Sequence, residues 1–156
     1  MRYEGLILAV CLFCLVVAFT PYDSTQAMRS GQYIGISSGP TTRFLDIEDL
    51  KPGDEVVSTI KVQNEDEINY FYTIRLRNIS GSKELYNKFD LQISDAIKVL
   101  YRGSLSQYNG FSPRYLLKHS SESLTIKVSL PKDVGNEYQG LSSNVAFDFI
   151  TEEKQS

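Results

Sequence analysis

Between Ile68 and Arg77 the chain changes character at nearly every residue. Ile68, Tyr70, Tyr72, Ile74 and Leu76 fall on one side, and Asn69, Phe71, Thr73, Arg75 and Arg77 on the other. A period of two with β-branched and aromatic types is the pattern of a half-buried strand, and helical spacing explains it poorly. The same alternation returns in Val56, Ser58, Ile60 and Val62, and again in Leu124, Ile126, Val128 and Leu130. Shorter runs at Arg43 to Ile47, Leu91 to Ile93, Ile97 to Tyr101 and Asn144 to Ile150 fit further strands. Turn chemistry separates them. In Leu50-Lys51-Pro52-Gly53-Asp54 the proline presets φ for an early turn position, and the glycine accepts the positive φ that follows. Asn64-Glu65-Asp66-Glu67 reads as a polar hairpin link, and Arg102 to Pro113 as a loop. Lys83 to Phe89 has room for one or two helical turns. About seven or eight short strands with turns between them predict an all-β, antiparallel sandwich with at most one or two short helices. Thr59-Ile60-Lys61-Val62 recurs as Thr125-Ile126-Lys127-Val128, which predicts two structurally equivalent strands, since two copies are too few for a solenoid.

The N-terminus is of another kind. Leu6 to Phe19 is uninterruptedly apolar, Arg2 precedes it, and Thr25-Gln26-Ala27 follows as a small-x-small site. This reads as a signal peptide over residues 1–27, cut after Ala27. An uncleaved anchor is the alternative, although a spanning helix wants about 20 apolar residues and this run is shorter. Lipidation at Cys11 or Cys14 fits less well, because the run before Cys11 is short and Phe13 is bulky. Both cysteines lie in the leader, so a mature chain has none for disulfides. Residues 28–42 are short of hydrophobics and read as a flexible N-terminal segment, with Ser37-Ser38-Gly39-Pro40 as a break. Residues 43–156 read as the sandwich domain, its core beginning near Phe44.

Charge and motifs narrow the function. Sixteen basic residues stand against 19 acidic ones, a net charge of −3. That balance lacks the basic excess of a nucleic-acid binder and gives no reason for attraction to anionic lipid, so the membrane enters only through the leader. The lone histidine, His119, sits in a polar turn; a zinc-protease pair of histidines is impossible, and no Gly-x-Ser-x-Gly elbow occurs. The acidic groups Asp46, Glu48, Asp49 and Asp54, and Glu65 to Glu67, lack calcium-loop spacing and read as solvated turns. No catalytic, cofactor or metal residue is assigned, and the chain is read as a non-enzyme. Asn78-Ile79-Ser80 matches a glycosylation acceptor. Tyr101, Tyr108, Phe111 and Tyr115 form a candidate partner-binding loop for a glycan or a protein; the alternative is that they fold back to cap the sandwich end.

Four features in order resemble the TasA and camelysin family of secreted Gram-positive biofilm-matrix and surface proteins. They are the leader, the Pro52-Gly53-Asp54 turn, the Asn64 hairpin, and the Leu130-Pro131…Gly135-Asn136-Glu137-Tyr138-Gln139-Gly140 link before Phe147 and Phe149. The resemblance spans Phe44 to Ile150, least closely in its middle third. It implies a jelly-roll sandwich, export, and a role in matrix fibres or a surface layer. It also implies assembly by strand addition, in which one subunit lends its N-terminal segment to the next. The first strand-capable piece after the cut is the candidate donor: Gln32, Tyr33, Ile34, Gly35, Ile36, Ser37 and Ser38, with Ile34 and Ile36 on one face. The chain is short and lacks the long insertions of the fibre proteins, and it offers no ligands for the metalloprotease activity ascribed to some camelysin-like members. Three readings follow: a secreted structural protein that self-associates or joins another matrix or surface protein, a non-catalytic binding module for a glycan or matrix protein, and, third, a peptidase.

Overall fold

The computed structural model describes residues 32–36 and 41–154. The expectations for the leader, for residues 28–31 and for the break from Ser37 to Pro40 lie outside those residues. The strands are β1 (Gln32–Ile36), β2 (Thr41–Glu48), β3 (Glu55–Asn64), β4 (Tyr70–Gly81), β5 (Asp90–Ser94), β6 (Val99–Ser104), β7 (Arg114–Leu116), β8 (Ser121–Ser129) and β9 (Ser142–Glu153). One short helix, α1 (Lys83–Tyr86), follows β4, and 3₁₀ turns occupy Leu105–Gln107 and Asn136–Tyr138.

Two sheets face each other. One runs β2-β9-β4-β7 and the other β1-β3-β8-β5-β6. Apart from the β5–β6 hairpin, each strand hands the chain to the opposite sheet, which is the winding of a jelly roll. The all-β sandwich expected from the period-two runs is therefore the fold. Alternation decides what fills it: Tyr72 and Ile74 from β4, Phe147 and Phe149 from β9, Ile60 and Val62 from β3, and Leu124, Ile126 and Val128 from β8 all point inward and are buried. The internal echo has a plain meaning. β3 and β8 are antiparallel neighbours with Thr59 opposite Thr125, their hydroxyls 3.3 Å apart.

The Pro-Gly turn works as its residues require. Gly53 has φ +94°, Asp54 N–H donates to the Lys51 carbonyl at 2.9 Å, and Lys51 N–H donates to the Asp54 carboxylate at 3.0 Å. Gly53 N–H also donates to the Leu130 carbonyl at 2.7 Å, so this turn is tied to the start of the Pro131–Gly140 link. Asn64, fully buried, organises the hairpin link. Its amide donates to the Ile68 carbonyl at 2.8 Å and accepts from Asp66 N–H at 3.0 Å.

Several boundaries differ from the sequence expectation. The core begins at Ile34, not near Phe44: Ile34 and Ile36 are at most 1 % exposed. They are buried because β1 lies parallel to β3, with Gln32 opposite Ile60 and Ile36 opposite Asn64, so its apolar face extends the inner face of that sheet. The segment expected to be flexible thus carries a strand of its own chain's sheet, and the sandwich includes one parallel pair. The helix stops at Tyr86; its start is capped by the Ser82 hydroxyl, which accepts from Leu85 N–H at 3.1 Å. The expected strand from Ile97 begins instead at Val99. The expected loop from Arg102 is still strand to Ser104, where pairing with Asp90 ends.

Candidate functional site

The groups with the most specific geometry lie along the side of the sandwich where β6 ends one sheet and β7 ends the other. Between β5 and β6 the Asp95 side chain makes the turn. One carboxylate oxygen accepts from Ile97 N–H at 2.8 Å and Lys98 N–H at 2.7 Å. Two residues are thereby withdrawn from the sheet ladder, which is why the strand starts late. These amides, with Arg114 nearby, hold the Asp95 carboxyl below its usual range.

The other Asp95 oxygen lies 3.0 Å from an Arg114 nitrogen. Arg114, from β7, also grips Glu122 of β8: its Nε is 2.9 Å from both carboxylate oxygens, and one terminal nitrogen is in close contact with Glu122 as well. The Tyr72 hydroxyl, from β4, donates to Glu122 at 2.6 Å. Burial and the Glu122 carboxylate push the Tyr72 phenol above its ordinary pKa, and the hydrogen bonds to Glu122 raise the Arg114 guanidinium. Asp95, Arg114, Glu122 and Tyr72 therefore tie both sheets and the β5–β6 turn into one frame. Its donors and acceptors satisfy one another, so the frame positions its surroundings and holds no free base.

Around this frame the aromatic residues singled out from the sequence divide. Tyr101 and Tyr108 meet edge to face at 4.7 Å and lie half-buried on the core. The Tyr101 hydroxyl donates to the Ser104 carbonyl at 2.8 Å. Burial raises the Tyr108 phenol. Phe111 packs edge-on against Tyr72 at 6.3 Å. These three are partly buried and pack against the core. Tyr115 instead faces outward, 41 % exposed, with Phe71 at 5.0 Å on one side and the Lys154 ammonium 5.0 Å from its ring.

Sequence reasoning missed the apolar residues that the frame presents. Ile97 is 93 % exposed at the tip of the turn, and Val99, Tyr115 and Leu117 are 41–54 % exposed. A shallow groove of about 380 Å³ runs between the two sheet edges, with Lys98, Val99 and Leu100 on one wall and Phe111 to Tyr115 on the other. The signal for the frame was present: Glu122 has the inward parity of Leu124 and Ile126, and Arg114 that of Leu116, so opposite charges sit at positions that face the core.

The candidate donor strand lies at the far edge of the same sheet. Gln32 to Ile36 pair with β3, Ile34 and Ile36 are in the core, and Ser37 and Ser38 lie outside the described residues. His119 stands in a turn with φ +56°, exposed, 3.0 Å from Glu67. Asn78 of the glycosylation-like triplet lies in β4 at a register shift against β9. Among the described residues no cluster of three or more histidine, cysteine or acidic side chains could hold a metal ion.

No family model matches the chain, and neither does any curated protein. Among solved structures it is similar to PliG, a periplasmic lysozyme inhibitor of g-type lysozyme, from Aeromonas hydrophila, at 8 % identity and a TM-score of 0.36, over 78 % of this chain and 96 % of that one. PliG from Salmonella Typhimurium is similar at 12 % identity and a TM-score of 0.37, over 79 % of this chain and all of that one. Likeness at this level carries no inference about partner or activity.

Proposed function

We propose that this chain is an exported, non-catalytic module that works at the cell surface or in the extracellular matrix by binding another protein. The observation that carries the reading is Ile97. An isoleucine almost wholly in water is held on a turn whose two amides are pinned by Asp95, which is in turn pinned by Arg114. A rigid, exposed apolar anchor beside further open apolar side chains suits a protein interface, because little order is lost on binding. The carboxylates of Asp95 and Glu122 are held by Arg114 and the turn amides, which favours recognition over chemistry.

A second reading, that of a matrix subunit of the TasA and camelysin kind assembling by strand addition, draws on β1. β1 is a short edge strand, the parallel member of an otherwise antiparallel sandwich, and it contributes two wholly buried isoleucines. A strand so placed can be exchanged between copies without altering the remaining pairings.

Purified protein from Met28 onward separates the two. Under the first reading it stays monomeric and retains a defined protein from the extracellular fraction, and Ile97→Asp abolishes that retention while the fold is kept. Concentration-dependent filaments that survive Ile97→Asp and vanish on removal of β1 contradict the first reading and support the second. Mass spectrometry of the medium checks export: a species beginning at Met28 is expected, and intact Met1 at the membrane overturns it.

A further inference from the structure

We infer that the free edge of β6 accepts an extended, acidic segment of the partner protein as an added strand; this rests on the protein-binding reading above. β6 is the last strand of its sheet, so its outward backbone groups have no strand partner among the described elements. Unpaired edge groups are a template for another strand. The groove borders the start of this edge, and Val99, Leu100, Phe111 and Pro113 give it an apolar lining. A strand laid on β6 would turn alternate side chains toward that lining and the others away from it.

The sign of the partner comes from the cations. Among the described residues Lys98 has no ion-pair partner, and Arg102 donates only to the neutral Gln92 amide, at 3.0 Å. The third cation, Arg114, is held by Glu122 and Asp95. The groove lining includes Lys98 and Arg114 and no carboxylate. Basic residues on an edge strand ordinarily serve to prevent pairing. Here they would do so against a second copy, since antiparallel β6–β6 pairing sets Lys98 and Arg102 against their own kind. Pure defence does not account for Val99, 44 % exposed in the strand itself, or for Ile97 beside it. Apolar contacts framed by unpaired cations exclude self-pairing and select a strand with apolar residues on one face and carboxylates on the other.

The test uses the protein from Met28 onward and a synthetic peptide of alternating valine and glutamate. Its lysine counterpart and phosphatidylserine vesicles serve as the other arms. The Val-Glu peptide is expected to shift backbone amide resonances of Lys98 to Ser104 and Phe111 to Tyr115 and to slow hydrogen exchange along β6. The double variant Lys98→Glu/Arg102→Glu is expected to weaken that peptide about tenfold and to admit the lysine peptide instead. Equal response to both peptides, shifts confined to β1, or binding to the vesicles alone overturns the inference. If Ile97→Asp abolishes retention of the natural partner while the charge reversals change nothing, the protein-binding reading stands and strand addition at β6 is refuted. If neither variant affects retention, both fall.

Discussion

Replacing Glu122 by alanine removes the node of the frame. Arg114 and Glu122 are 22 % and 18 % exposed, so their pairing lies between the small value of a surface ion pair and the several kcal/mol of a fully buried one, about 2 kcal/mol. The substitution also leaves the Tyr72 hydroxyl, on a side chain only 1 % exposed, without its acceptor, at a cost of about 1–2 kcal/mol. Arg114 keeps Asp95 and is not stranded. The expected loss is about 3–4 kcal/mol, a fall of about 2 M in a urea midpoint at the usual slope for a domain of this size. The second substitution is more discriminating. In the wild type Tyr72→Phe removes a good hydrogen bond and should destabilise; in the Glu122→Ala background it removes an orphaned hydroxyl and should restore about 1 kcal/mol. Equilibrium urea unfolding of the four proteins reads the change of sign. A cost below about 1 kcal/mol for Glu122→Ala, or the same cost for Tyr72→Phe in both backgrounds, refutes the frame.

Gly81→Ala should destabilise by about 2–4 kcal/mol in thermal unfolding, because φ is +90° there and a Cβ would lie 2.3 Å from the Ser142 carbonyl oxygen. Ile34→Ala should cost about 2–5 kcal/mol, since Ile34 is wholly buried; a loss as small as that of the exposed Ile79→Ala would place β1 outside the domain. Arg77 and the Thr42 hydroxyl hold the Asp148 carboxyl below its ordinary 3.8, Arg77 more strongly. A depressed carboxyl contributes stability that is present above the unfolded pKa and lost as pH falls through the folded one. The urea midpoint should therefore decline below about pH 4, and less steeply in Asp148→Asn.

What could be read from the sequence was whatever depends on the alternation of neighbours. The β4 run from Tyr70 and the β8 run from Leu124 are strands because one face must be apolar and the other need not be, and that is written locally. The Lys51–Asp54 turn was legible for the same reason, proline and glycine each meeting a single backbone requirement. The failures share another cause: they turn on which strand lies beside which. Nothing within Gln32 to Ile36 says that its isoleucines complete the β3 sheet; that follows from a parallel pairing with residues 28 positions away in sequence, as Gln32 opposite Ile60 shows. Ile97 was assigned to a strand because it is β-branched beside other apolar residues. The Asp95 carboxylate outbid the ladder for its amide and that of Lys98, and this competition is decided by side-chain capping rather than hydrophobic period. The aromatic loop shows the remaining limit. Tyr101, Tyr108 and Phe111 were candidates because aromatic rings suit interfaces, yet an end of a sandwich needs the same rings to close its core. Composition cannot distinguish those uses, whereas parity can: Arg114 and Glu122 occupy inward positions where a charge survives only with a partner, and following that signal leads to the frame and to the apolar edge it supports.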